Sequence, residues 1–203
     1  YDRYPEQWRE IYSTEQSQKA FEEDVQMIGF GAAPTKAEGA AISYESGREG
    51  FVSRYVHETI ALAFSITEEA EEDGLYGSLG AKYARALARS MQHTKEIKGA
   101  NILNNATSTS VGGDGVSLLN ASHPLGGGGT ASNTLSTAAD LSETSLEQLL
   151  IQISTAVDDR SIPIALSGQK LIVPPQLVFI AERILKSNLR PGTADNDINA
   201  MRN

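Results

Sequence analysis

The 203-residue sequence predicts an α+β fold, and three observations lead there. Residues 42–66 alternate apolar and polar side chains around the turn-like "SGREG", the pattern of a long two-stranded hairpin. Within residues 75–106, Leu79, Tyr83, Leu87 and Met91 recur every fourth position, the pattern of a long helix. The whole order reads helix, hairpin, long helix, loop, helix, strands, helix. It lacks the strand–helix alternation of a doubly wound sheet.

Each element has its own local signal. "YSTEQSQKAFEEDVQMIGFG" begins with the capping-box spacing Ser13 to Gln16 and sets Phe21, Val25 and Ile28 at helical spacing, so a short amphipathic helix is expected. "AAPTKAEGAA" is a joint by composition. In the hairpin, Val52, Val56, Ile60, Leu62, Phe64 and Ile66 share one parity, and Ser53, Tyr55, His57 and Thr59 the other. A two-stranded hairpin is marginal alone in water, so this one needs a surface to lie on, and another copy of the chain is the natural supplier. The acidic run "TEEAEEDG" then reads as a solvated charged segment. The following helix, of about 25 residues, would extend about 38 Å, which suits a spine better than a packed bundle element.

Residues 107–134 are rich in Ser, Thr, Gly and Asn and read as an extended loop. Beyond it, Thr144 to Glu147 has capping-box spacing before the stripe Leu146, Leu149, Leu150, Ile153 and Val157. "IPIAL" and "KLIV" read as buried strands around Ser167-Gly168. The prolines at 174–175 end the strand and admit a helix, "QLVFIAERILKS", which Asn188 can close.

Charge is unevenly spread. The formal net charge is −9, which argues against a dedicated reader of DNA sequence. Residues 1–75 hold sixteen acids against six bases, whereas residues 82–98 hold Lys82, Arg85, Arg89, Lys95 and Lys98 against Glu96 alone. The face of Lys82, Arg85 and Arg89 could touch nucleic-acid phosphates without reading bases. With no cysteine, disulfides, thiolate nucleophiles and thiolate metal ligands are excluded. No apolar run approaches the roughly 18 residues of a membrane span and no leader opens the chain, so a cytoplasmic origin is expected. The opening tyrosine and the polar ending suggest a piece of a longer gene product.

The catalytic motifs weigh in the other direction from enzymology. Ser122 and His123 are adjacent, and neighbours in an extended chain point apart, which defeats a nucleophile–base pair. Gly126 to Gly129 lack the lysine of a phosphate loop and the spaced glycines of a dinucleotide site. His57, His93 and His123 show no ligand spacing, so no metal or other cofactor is expected. "TEEAEEDG" lacks the alternation of a calcium loop.

The succession resembles the major capsid proteins of tailed bacteriophages, with the Hong Kong-type shell fold. The likeness is carried by "YVHETIALAFSITEEAEEDGLYG", "YARALARSMQHTKEIKGANILNNA", "NASHPLGGGGTASN", and "LIVPPQLVFIAERIL" running into "GTADNDIN". The resemblance implies an N-terminal arm with a short helix over 1–39, an extended β-hairpin over 40–73, the spine helix of a peripheral domain over 74–110, and a loop with an axial domain over 111–203. C-terminal return strands would be absent from this chain. It implies an inter-subunit arm bearing Tyr44, Arg48, Phe51, Tyr55 and His57, with Lys82, Arg85 and Arg89 facing packaged DNA. The hairpin tip carries Arg48 and no lysine, so the lysine-to-asparagine cross-link of some members is not expected. The implied function is a structural, non-enzymatic head protein that self-assembles into an icosahedral shell around double-stranded DNA. Its partners would be copies of itself, as hexamers and pentamers, with scaffolding, portal and decoration proteins. It would assemble in the host bacterial cytoplasm, reside in the virion and contact no membrane. A nanocompartment shell protein resembling encapsulins, or a soluble hydrolase or transferase using His123 and the glycine loop, are the alternatives.

Overall fold

The computed structural model describes residues 5–72, 74, 79–108, 112–190 and 197–202. The chain divides into two units, Tyr1–Asp24 with Ser53–Leu118 and Val25–Val52 with Leu119–Asn203. The described elements are helices and small two-stranded sheets, in keeping with the expected α+β class.

The first correction concerns the N-terminal segment. The expected helix over 13–28 is instead a strand, β1 (Phe21–Ile28), which pairs with β2 (Arg48–Val56). The pair is antiparallel: the His57 amide donates to the Ala20 carbonyl at 3.3 Å, Arg54 Nε donates to Glu23 at 2.7 Å, and Gly50 lies beside Gln26 and Ile28. Of helix before residue 39, only the single turn α1 (Trp8–Ile11) is found among the described residues. Phe21, Val25 and Ile28 fit a helical period, but the same eight residues also satisfy a strand once β2 offers a ladder. The hairpin expected over 42–66 is therefore a different ribbon, in which 48–56 turns back onto 21–28 through the connection 29–47. "SGREG" is the start of a strand, not its tip, and Ile42 and Tyr44 lie outside both strands.

In the first unit the rest of the expected hairpin has another role. Residues 57–67 form no strand and run along the long helix α3 (Leu79–Asn104). Glu58 pairs with Lys98, Ile60 shares a groove with Ala88, Met91 and Lys95, and the Phe64 ring lies 6.0 Å from that of Tyr83. From residue 58 to 64 an extended chain advances about 20 Å. From 98 back to 83 a helix covers about 22 Å, so the two run antiparallel in step. The 26 residues of α3 give it a length of about 39 Å, close to the expected length. At its C-terminal half α1 packs on it, with the Tyr12 hydroxyl donating to the Gly99 carbonyl at 2.9 Å. The acidic run is helical over α2 (Glu68–Glu72).

In the second unit, β3 (His123–Pro124) and β4 (Thr130–Ala131) pair antiparallel, His123 opposite Ala131. Helix α4 (Glu143–Ser154) begins two residues earlier than a Thr144 cap would set it, with Ser142 as its N-cap. Its capping box is Ser142 with Ser145: the Ser145 amide donates to Ser142 Oγ at 3.2 Å and the Ser142 amide to Ser145 Oγ at 2.9 Å. "IPIAL" and "KLIV" are extended but belong to no ladder beyond a bridge of Val157 to Pro163, and they are exposed where buried strands were expected. Pro175 opens a single 3-10 turn (Pro175–Leu177) leading into α5 (Val178–Lys186), as the proline pair suggested. The helix end is closed by Asn199 rather than Asn188. Asn199 Nδ2 donates to the Ile184 carbonyl at 2.6 Å and the Ser187 carbonyl at 3.0 Å, and Asn199 is 3% exposed.

Burial is sparse. The buried apolar residues are Ile28, Ala106, Leu146, Ala181 and Ile184, and no large side chain among the described residues is fully buried.

Candidate assembly surfaces

The glycine run acquires a physical explanation in the second unit. Gly126–Gly129 are the tip of the β3–β4 hairpin, closed by the Leu125 amide on the Gly129 carbonyl at 3.1 Å and the Gly128 amide on the Leu125 carbonyl at 2.9 Å. Gly128 and Gly129 have φ of 98° and 88°, a region that strains any residue with a Cβ. Gly126 and Gly127 are glycine for another reason: a Cβ on the first would overlap the Ile28 side chain, and on the second the Asp159 carbonyl oxygen.

That close approach belongs to a clasp. Asp159 accepts from the Gly126 amide at 3.0 Å and from Gln26 Nε2 at 2.7 Å, while the Arg48 guanidinium donates to the Gly126 carbonyl. Next to it Arg160 pairs with Glu45 at 3.3 Å, and Glu45 also accepts from the Gly31 amide at 2.9 Å. The turn carrying these groups is built by Asp158, whose carboxylate accepts from the amides of Arg160 and Ile162, both at 2.8 Å, an Asx-type closure. The clasp fixes both ends of the 29–47 connection. It brings no nucleophile beside a base.

The residues expected on the inter-subunit arm are dispersed by this arrangement. Tyr44 stands in the 29–47 connection at 95% exposure, Tyr55 is half-exposed on β2, and Phe51 is partly buried. His57 follows β2 and is exposed; Arg48 is engaged by its own chain at the ribbon root. Phe21, Val25, Met27, Val52 and Val56 are exposed as well, so the ribbon shows apolar side chains to solvent along its length. Ile42, Leu62 and Phe64 add to them.

Lys82, Arg85 and Arg89 all lie exposed on α3. At about 100° per residue they fall within an arc of about 60°, on the side opposite Leu87 and Met91. The sequence placed them on a neighbouring face; they are diametrically across from the side that carries residues 58–64.

Gln26, Asp159 and Asn199 carried no signal in the sequence. Asp158-Asp159 does fall between two apolar runs, which is a turn signal, but nothing in it names the groups that the turn would hold. Among the described residues no group of three His, Asp or Glu side chains converges on a metal-sized site, and no helix is long and apolar enough to cross a membrane.

A protein-family model described as "Phage capsid protein" matches residues 51–203. Neither the curated proteins nor the solved structures contain a match.

Proposed function

The chain belongs to the phage capsid protein family, and from that premise we propose that it is the major head protein of a tailed phage, closing in many copies into an icosahedral shell around double-stranded DNA. A structural capsid role, self-assembly and residence in the virion come with the family. The finer reading rests chiefly on the exposed ribbon and connection. Val25, Met27, Val52 and Val56 on the strands, with Ile42 and Tyr44 on their connection, are too many apolar side chains to leave in water on a two-stranded element and its loop. Each copy that covers a neighbour's ribbon removes that area from water, and repetition round a closed lattice multiplies a modest contact into a stable shell.

In this reading the inter-subunit arm is the ribbon with its 29–47 connection. Tyr44, Phe51, Tyr55 and His57 belong to its contact face, and Arg48 to its root. The α3 stripe of Lys82, Arg85 and Arg89 faces the lumen, where a cationic surface meets phosphates without selecting sequence. The spine and axial regions of the Hong Kong-type fold correspond to α3 and to the α4–α5 region. Scaffolding, portal and decoration proteins and host-cytoplasm assembly belong to the same proposal.

Electron microscopy of the purified full-length chain tests it: closed particles are expected, and a persistent monomer contradicts it. Replacing Lys82, Arg85 and Arg89 together with glutamine should leave shell formation intact. It should also reduce DNA retention and flatten its salt dependence by up to about three in log–log slope. Unchanged retention refutes the lumenal assignment.

A further inference from the structure

We propose that the groove between α4 and residues 163–172 seats residues 41–46 of a second copy, taken up as an added β-strand. The inference rests on the self-assembly reading above and names the surface that receives the arm.

The groove encloses about 660 Å³. Leu149, Leu150 and Ile153 of α4 form one wall, with Leu166 and Leu171 opposite. Beside it runs an open strand edge. Ala165 turns the chain with φ 54°; beyond it, among the described residues, 166–169 and 171–172 make no main-chain hydrogen bond, are exposed and contain no proline. Strand addition needs this combination: free main-chain donors and acceptors for affinity, and an apolar recess for alternate side chains.

The choice of occupant follows from backbone and charge. β1 and β2 already satisfy each other's main chains, whereas residues 41–44 make no main-chain hydrogen bond among the described residues. Ile42 and Tyr44 are 67% and 95% exposed, and at a spacing of two an extended chain turns both to one face, about 7 Å apart. The charged residues described on the groove lining are Lys170 and Arg202, both basic. Residues 37–46 carry no base; Glu38 stands ahead of the apolar pair, while Glu45 is already paired with Arg160 of its own chain. An apolar strand preceded by an acid thus matches a base-rimmed apolar groove.

The chain has no cysteine, so single substitutions report contacts cleanly. Full-length Tyr44→Cys would be co-assembled with Leu166→Cys, Gln169→Cys or Ile172→Cys, all at exposed positions, and oxidised. At one or more of the three, a disulfide-linked dimer is expected in the mixture at about fivefold or more its level in either variant alone, since the bond requires Cα atoms within about 7 Å. Adding Glu38→Lys to the Tyr44→Cys chain should lower that yield. Particles that form with no mixed disulfide at any of the three positions overturn the inference and leave the capsid reading intact. So do particles whose 166–172 cysteines resist a thiol reagent without linking to position 44, which would assign the groove to a different occupant. A double variant that links only within one chain also overturns it. A wild-type chain that forms no particles removes the underlying reading instead.

Discussion

Asp159 and the glycines at 126–127 show how single residues set the position of a large exposed segment. The Asp159 carboxylate holds Gln26 and the Gly126 amide together, and the missing Cβ atoms let the hairpin tip reach Ile28 and the Asp159 main chain. Gly127→Ala would push a methyl group into a carbonyl oxygen on a turn that is closed by its own Asx bonds. A loss of roughly 1–3 kcal/mol is expected, read from urea unfolding. A neutral result would mean that the tip is not pressed against the turn. The four glycines were legible in the sequence as a bent loop, and two of them are; the close approach of the other two was not, because it depends on the Ile28 side chain 98 positions away and the Asp159 carbonyl 32 positions away.

At the scale of elements, the long helix was the most legible feature, since a four-residue apolar period without intervening turn residues runs there for longer than strands do. The N-terminal segment was the least. "FEEDVQMI" satisfies both periods, and the choice fell to β2, a partner that local pattern does not identify. The strands expected at 163–173 failed for the converse reason: their residues favour extension, and the chain extends there, but no ladder is present to bury them.

Two element junctions give direct tests. Burial raises the Tyr12 hydroxyl above its ordinary value, so the folded state favours the neutral form that donates to Gly99. Its contribution is complete below the unfolded-state value of about 10 and is lost as pH rises through the raised folded value. The stability difference between wild type and Tyr12→Phe should therefore shrink on going strongly alkaline. A difference that stays constant would mean the hydroxyl does not anchor α1 on α3. At the other junction, Asn199→Ala would strand the carbonyls of Ile184 and Ser187 at the end of α5, at a cost of roughly 1–3 kcal/mol in chemical denaturation. Asn188→Ala, at the position the sequence favoured for closing the helix, should cost less.

For the whole molecule, the governing quantity is surface. The chain exposes 16057 Å², whereas a monomeric globular protein of 21.8 kDa exposes about 9,300 Å². The difference is more than a standard interface of about 800 Å² per partner would cover, and the proposed assembly would cover it through several neighbours. The sequence already implied such dependence from its long exposed β segment. The implication does not depend on how the strands pair, because it rests on the marginal stability of a two-stranded ribbon and not on which residues form it. The likeness to phage capsid proteins was legible chiefly in the order of segments, since the individual strings are loosely specific.

Sedimentation velocity of the purified full-length chain across a range of concentrations tests the central claim most directly, that these apolar surfaces are completed by sister copies. The account predicts cooperative conversion to large, discrete particles above a threshold concentration. A single stable species at monomer mass at every concentration would contradict it.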